Sequence, residues 1–534
     1  MPRKSLLASA AAVAAALALA LSGCAGGATA DSAASSTPRA GGSLTIGIDN
    51  WCGAYDKQQT SGCTFSNIQV TDNLVDQDPE TGKVVPWLAT SWKVSDDAKT
   101  YTFTLRKGVT FSNGEAFDAQ AVKENFDAVI ALGKQGNAFQ SSAYLLGYTG
   151  STVIDPQHVA VSFSQPKAGF LQSLSEAPLG IVSPSTTKET AAERANGVVG
   201  SGPFVISKLE QGKQIVLTKR KDYDWGSSVR GNTGAAYLSK LTFLVIPEAS
   251  ARIGALTSGQ VDAISYPSSN DIAEVKSSSN VFSAASAGVV YTLYPNTSDP
   301  LLAQEPVRQA IQRSIDRDEI KQVTLDDTGK AATNIVSSTF PGWTDLSSHL
   351  TDSKAAVKKI LQGAGWSKGS DGIWAKDGQR LSTNLQYSDA NDKQQFELIQ
   401  QQLKANGIEV RLEQLTAAQL SANQDTGDWG LQYGNLTRPD PDVFLSAFTS
   451  DFASRIKQDA DPSLVALIKQ QSAESDTAKR TKLSQEIQER IVDEGLGFPI
   501  HEATSVIATS KDVHGVRFTA PWWAYFGSAW KDGQ

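Results

Sequence analysis

Asp78–Phe111 reads DPETGKVVPWLATSWKVSDDAKTYTFTLRKGVTF, and its reading decides the fold. Pro79 and Gly82 set a turn, Trp87 and Trp92 flank a short apolar stretch, and Ser95-Asp96-Asp97 sets a second turn. Tyr101, Phe103 and Leu105 alternate with threonines, the period-two pattern of a half-buried strand. Asn113-Gly114 turns the chain again. Asp118 then stands where a helix needs its N-cap, with Phe117 and Val122 spaced as a hydrophobic staple. Val122, Phe126 and Val129 mark one face of the helix that follows. The unit is compact, β-rich and without catalytic chemistry.

The N-terminus carries a second signal. Arg3 and Lys4 form a positive region, Leu6 to Leu21 is almost entirely Ala, Leu and Val, and Leu21-Ser22-Gly23-Cys24 follows, which looks like a bacterial lipobox. Residues 1–23 read as a lipoprotein signal peptide, not a retained transmembrane helix, with Cys24 as the lipidated first residue of the mature chain. A chance match within an ordinary signal peptide is the alternative. Several acyl chains on Cys24 would hold the protein stably at a membrane surface. Residues 24–41, small and rich in Gly, Ser and Thr, read as a flexible tether.

Three cysteines are an awkward number until Cys24 is set aside. Cys52 and Cys63 remain, in a loop just after the strand expected at Leu44–Ile48. Outside the cytoplasm the two are expected to oxidise to a disulfide. A metal or redox pair is the alternative, but no histidine is near and the spacing is not CxxC.

With 534 residues the chain is too long for one core, so two or three lobes are expected. A net charge of −8 argues against a nucleic-acid partner, which wants a basic face. After Leu21 no apolar run approaches the roughly 20 residues that span a bilayer.

Further segments follow in order. Val198–Trp225 (VVGSGPFVISKLEQGKQIVLTKRKDYDW) reads as two strands joined at Gln211-Gly212, and Leu238–Ile264 as strand, helix and Ser-Gly stop. Glu305–Ile320 (EPVRQAIQRSIDRDEI) reads as one amphipathic helix with Val307, Ala310, Ile311 and Ile315 on a face. Ala356–Trp366 is a helix ended by Gly363 and Gly365, and Phe396–Leu415 is helix, Asn-Gly stop and strand. Gly427–Phe448 (GDWGLQYGNLTRPDPDVFLSAF) is a strand running into a Pro-rich turn and helix, with Asp440 or Asp442 as its cap. Together with Asp78–Phe111, this ordered series resembles the extracellular solute-binding proteins, family 5, of peptide, nickel and related ABC importers, over about Gly42 to Phe518.

The resemblance implies an α/β fold: a two-lobed periplasmic-binding-protein-like clamp (type II, cluster C) with an extra inserted α+β domain. One lobe would comprise residues 42–74, 199–285 and 500–534, the inserted domain residues 75–198, and the other lobe residues 286–499. Chain crossings near Ala285 and Pro499 would form the hinge, and the inserted domain would face away from the ligand. The resemblance also implies a monomer without cofactor on the outer face of the cell membrane, extracellular or periplasmic. It would deliver a peptide or other small solute to an ABC permease driven by a separate ATPase; a transport-independent surface sensor on the same fold is the alternative.

Ligand contacts are expected at strand-end loops facing the cleft, where aromatic rings and a few polar groups meet. Asn50 and Trp51 follow the first strand, with Thr64 and Phe65 across the cysteine loop; Trp51 reads equally as a core residue. Tyr291 to Asn296 begins the second lobe. Tyr433 and Asn435 lie on one face of a strand that ends at Thr437-Arg438. In peptide-binding members of the resembled family, an aspartate before the Asp-Pro turn pairs with the peptide's α-amino group; that place falls near Thr437 here. In dipeptide-type members an arginine holds the carboxylate; the comparable stretch here, Gln386-Tyr387-Ser388, has none. A charged terminus buried without a partner is costly, so short free dipeptides are disfavoured as ligands. Longer peptides, or modified, cyclic or anionic solutes, remain open.

Hydrolytic chemistry lacks its parts. His158, His349, His501 and His514 form no HExxH or close pair, and no Walker A loop occurs. Ser185–Lys188 and Ser454–Lys457 match SxxK, as a serine-rich chain does by chance. Carboxylate pairs such as Asp96-Asp97 and Asp326-Asp327 read as solvated turns. Direct nickel ligation is poorly served by four histidines and one methionine, and no metal site is expected.

Overall fold

The computed structural model describes residues 37–59, 63–267, 271–325, 327–388, 392–449 and 461–532. Residues 1–36, which hold the expected signal peptide, Cys24 and most of the expected tether, lie outside them, as do Asp326 and Ser454–Lys457.

Three sheets organise the chain from Arg39 onward. The first has seven strands, in the spatial order Asn280–Ala285, Thr504–Thr509, Ala263–Ser265, Ser43–Ile48, Lys240–Val245, Gln214–Lys219 and Phe204–Glu210. Ser43–Ile48 runs parallel to Lys240–Val245, with Leu44 opposite Leu241 and Ile46 opposite Phe243. These side chains are buried with Leu217 and Phe526. The second sheet has the order Glu409–Gln414, Ser382–Tyr387, Leu431–Thr437, Gly288–Pro295 and Phe498–His501. The third is the antiparallel set Ala89–Val94, Thr100–Leu105, His158–Phe163 and Tyr148–Asp155.

The opening stretch folds as its pattern dictates. Tyr101, Phe103 and Leu105 are buried while the threonines between them are half-buried. Asp118 accepts from Ala121 N at 3.0 Å and caps the helix Ala119–Lys134, whose Val122, Phe126 and Val129 pack into the same core. Trp87 is buried and Gly114 takes the left-handed conformation its turn requires.

Two expectations are corrected. Glu305–Ile320 is not one helix but two, Glu305–Gln312 and Arg317–Thr324. The Asp316 carboxylate captures Glu319 N at 2.9 Å and starts the second helix afresh, while Val307, Ala310, Ile311 and Ile315 all stay buried. Neither Asp440 nor Asp442 caps the helix Val443–Phe448 with its side chain: Asp440 Oδ1 accepts from Asp442 N at 2.8 Å, and both carboxylates turn to Arg480.

The first and second sheets are joined by two strand-to-strand crossings. One is Ser286-Ala287. The other is Glu502-Ala503 and not Pro499, because Phe498–His501 pairs with Gly288–Pro295 before the chain leaves for the first sheet. The crossings are hydrogen-bonded to each other, Ser286 N donating to Ala503 O at 2.8 Å. The third sheet's unit is fixed to the first sheet's by buried groups: Arg220 donates to Thr110 O at 2.7 Å, and Ile181 N donates to Asp72 O at 2.8 Å. One edge of it, residues 167–176, also touches the second sheet's unit at Arg438 and Asp442.

Candidate functional site

The first wall of the candidate site is built by loops at strand ends. After Ile48 the chain passes Asp49, Asn50 and Trp51 into a loop closed by the Cys52–Cys63 disulfide, whose Cα atoms lie 5.1 Å apart. Cys63 takes a left-handed conformation and the short helix Thr64–Asn67 starts there. Asn50, Trp51, Thr64 and Phe65 are thereby brought to one cavity of about 310 Å³, with Asp49, Tyr266 and Trp523. The Phe65 ring lies 5.9 Å from Tyr266 and 5.7 Å edge-on from Trp523. Lys57, on the same disulfide loop, places its ammonium 5.9 Å from the Trp523 ring centre.

Tyr266 and Trp523 went unforeseen. Trp523 arrives from the chain's far end, held in a tight turn in which Trp522 N donates to Thr519 O at 2.8 Å and Trp522 sits at φ 71°. The Pro521-Trp522-Trp523 run was the available signal.

The second wall belongs to the second sheet. Tyr291 and Tyr433 stack 5.1 Å apart at 13°, and Tyr291 lies 4.7 Å from the His501 ring. Tyr433 Oη and His501 Nε2 are 2.7 Å apart, and His501 Nδ1 is 3.1 Å from Glu502 O. Because a carbonyl only accepts, Nδ1 carries the proton and Nε2 accepts from the tyrosine hydroxyl. Burial pushes the imidazole down to about 4, so it stays neutral at physiological pH. Burial also raises the Tyr266 hydroxyl of the first wall.

The remaining candidates have other surroundings. Gln386 donates to Glu413 Oε2 at 3.1 Å and Asp428 O at 3.0 Å and accepts from Asn423 and Gln432. Tyr387 is buried against Phe396, 4.7 Å between ring centres. Asn296 gives its amide to Gly427 O and Trp429 O at 3.1 and 2.9 Å. Asn435 and Thr437 lie on the same strand face as Tyr433. Thr437 Oγ1 is 2.6 Å from Ser286 Oγ at the first crossing. Arg438 is buried, donating to Ser173 Oγ at 3.0 Å and lying 5.0 Å from the Tyr144 ring centre.

Among the described residues no catalytic constellation is assembled around these walls. His158, His349 and His514 pair at the surface with Asp155, Asp493 and Asp532. Ser185 bonds Glu115, while Lys188 reaches Glu124. Among the described residues no group of three His, Cys, Asp or Glu side chains is placed to hold a metal ion, and no helix is long and apolar enough to cross a membrane.

Residues 83–455 match the family model described as bacterial extracellular solute-binding proteins, family 5 (middle). The chain belongs to this family. The solute-binding protein is 27% identical over 477 residues to the nickel-binding periplasmic protein of Escherichia coli (strain K12), covering 85% of this chain and 87% of the relative. It is 27% identical over 495 residues to the dipeptide-binding protein of the same organism, with 85% and 88% covered. Among solved structures it is similar to NikA from Brucella suis in complex with Fe(III)-EDTA, with TM-score 0.80, 25% identity, and 92% of this chain and 100% of that chain covered. The architecture is therefore the two-lobed clamp of periplasmic binding proteins: the first sheet organises one lobe and the second sheet the other. The family is one of solute-binding proteins, not enzymes.

Proposed function

We propose that this solute-binding protein captures a peptide or peptide-like solute on the outer face of the cell membrane and delivers it to the permease of an ABC importer. It acts as a monomer, anchored by lipid on Cys24, with ATP hydrolysed by a separate subunit. The observation that carries the reading is the pair of aromatic walls, Phe65 with Trp523 and Tyr291 with Tyr433, raised by different lobes beside the two crossings. An aromatic wall from each lobe suits a solute that is gripped by closure, because contacts to both lobes favour the closed population. Asn50, Trp51, Thr64, Asn435 and Thr437 supply polar and apolar edges. The likeness to a dipeptide-binding protein supports the peptide class.

A second reading, a modified, cyclic or anionic solute or a metal chelate, has its own support. Neither Thr437 nor Gln386 carries a charge for a free peptide terminus, and Gln386 is held within a network of side-chain amides and Glu413. Native mass spectrometry of the protein purified from its own cells, repeated after denaturation, separates the two. A released family of peptides supports the first reading, and a single non-peptide mass overturns it. Cys24→Ser is expected to release the protein from the membrane fraction; retention would sink the lipid anchor.

A further inference from the structure

The cavity of the first wall holds a charge that the aromatic reading leaves unused. At about 310 Å³ it lies at the foot of the range for small-molecule sites, about 300 to 1,000 Å³, so it has room for one side-chain-sized group of a solute. Trp51, Phe65, Phe243, Tyr266 and Trp523 give it aromatic surface. Among the described residues that line it, Asp49 alone carries charge. That residue is half-buried at the end of the strand Ser43–Ile48 and accepts a hydrogen bond from Asn50 Nδ2 at 3.1 Å. It forms no ion pair among the described residues. Two cations of the same lobe stand outside the lining and have other engagements. Arg252 gives its guanidinium to the carbonyls of Ser265, Ile246, Pro247 and Tyr266 at 3.1, 2.8, 2.6 and 2.9 Å. Lys57 lies 5.9 Å from the Trp523 ring centre and acts electrostatically on Glu176.

The backbone around the cavity is held against its own preference. Among the described residues five non-glycine positions adopt positive φ; Cys63 and Tyr266 line this cavity, at 55° and 46°, and Trp522, at 71°, precedes Trp523. Left-handed backbone is costly for a residue with a side chain, and such strain gathers at ligand clamps. Tyr266 is fixed from both sides, its N–H donating to Val506 O at 2.9 Å and its carbonyl accepting from Arg252 Nη2 at 2.9 Å. The rings and the carboxylate favour the same ligand charge. Aromatic faces are electronegative and attract a cation, as Asp49 does, while an anionic group is repelled by both. A half-buried carboxylate among rings is stabilised further when a cation joins it.

We propose that this cavity is a subsite for an apolar group with a cationic tip, such as a lysine side chain or an arylalkyl amine presents, and that Asp49 is the residue that selects it. The inference rests on the reading of the aromatic walls as the solute site, and it narrows the solute to one bearing an ammonium group. The apolar stem lies against Phe65, Tyr266 and Trp523, and the ammonium meets the Asp49 carboxylate at the strand end. Asp49 thereby adds a charge contact at the wall that the disulfide loop stiffens.

Isothermal titration of the ligand-stripped protein with acetyl-Ala-Lys-Ala-amide, its norleucine counterpart and benzylamine tests this. The blocked termini leave the lysine ammonium as the peptide's one charge, and norleucine keeps the apolar stem without it. The lysine peptide is expected to bind roughly tenfold more tightly than the norleucine peptide, the usual worth of a charge-assisted contact. Asp49→Asn removes that advantage and Asp49→Glu restores most of it. Equal affinity for the two peptides overturns the subsite and leaves the peptide reading standing. An advantage that persists in Asp49→Asn overturns the role of Asp49. Binding of benzylamine but of neither peptide, lost in Asp49→Asn, keeps the subsite and overturns the peptide reading. Binding of none of the three overturns the subsite. Should Asp49→Asn fail to fold, carbodiimide coupling on the unaltered protein decides: the amine of the bound probe is expected to be joined to Asp49 in peptide maps, and coupling at other carboxylates alone refutes the proposal.

Discussion

At His501 one proton separates two arrangements of the second wall. Neutral, the ring donates from Nδ1 to Glu502 O and accepts from Tyr433 at Nε2. Protonated, it has no lone pair left, so the tyrosine hydroxyl must turn away and a charge is buried. The folded ring titrates at about 4 against 6.5 for an ordinary histidine. Between those values the unfolded chain holds the proton and the folded one does not. Stability from this group is therefore complete above about 6.5 and is lost as pH falls through the window. Asp72 and Glu176, raised by burial to about 6 and about 7, act the opposite way, losing stability as pH rises. A difference between variants isolates the histidine. His501→Gln is expected to flatten the fall in thermal midpoint between about pH 6.5 and pH 4; an unchanged slope would clear His501 of the effect. None of this was legible in the sequence, where His501 was one of four scattered histidines. Tyr433 was legible through strand alternation, but its partner lies 68 residues away along the chain.

Elements written by short-range pattern were read correctly, and those set by a competing local bond were not. The alternation at Tyr101–Leu105 and the cap at Asp118 are local, and both appear as expected. The helix break at Arg313–Asp316 was hidden because the apolar face continues across it. Asp316 followed three residues later by Glu319 was the overlooked start signal. Asp316→Ala is expected to cost about 1 kcal/mol in denaturant unfolding, the usual worth of an N-cap; no loss would mean the break is set by packing alone. The disulfide loop belongs to this scale too. Closing a loop of 11 residues' separation restricts the unfolded chain, and its loss is worth about 3 kcal/mol in the chain-entropy model. Reduction should therefore lower the unfolding midpoint and loosen the wall that carries Trp51 and Phe65. An unchanged tryptophan spectrum on reduction would contradict the second part. The cavity itself was half legible: Asn50, Trp51, Thr64 and Phe65 are neighbours along the chain. Trp523 reaches them only because the C-terminal segment returns to Gln69, which bonds both Ala524 O and Phe526 N.

For the whole molecule, the second attachment of the third sheet's unit matters most. The resemblance implied that this unit faces away from the solute; its segment 167–176 sits against the second lobe. Ala168 N donates to Ser472 O at 3.1 Å, Arg438 reaches Ser173, and Gln77 Nε2 donates to Pro439 O at 3.1 Å. Gly169 makes the close approach possible: a Cβ there would stand 2.5 Å from Asp442 Oδ2 and 2.8 Å from Asp440 Oδ1. Those carboxylates cannot retreat, because Arg480 holds both. The requirement is for space and not for an unusual backbone, since φ at Gly169 is −78°. Gly169→Val should therefore lift residues 167–173 off the second lobe. The unit stays attached to the first lobe through Arg220 at Thr110 and through Gln58 at Asn125, so the fold survives. Separating the surfaces removes a contact between lobes that closure otherwise gains, and a shift of about 1.4 kcal/mol toward the open population weakens solute binding about tenfold. The expected outcome is a larger radius of gyration in solution scattering with an unchanged far-ultraviolet spectrum. Superimposable scattering curves would show that this unit's seat plays no part in holding the lobes, and closure would then rest on the solute and the two crossings.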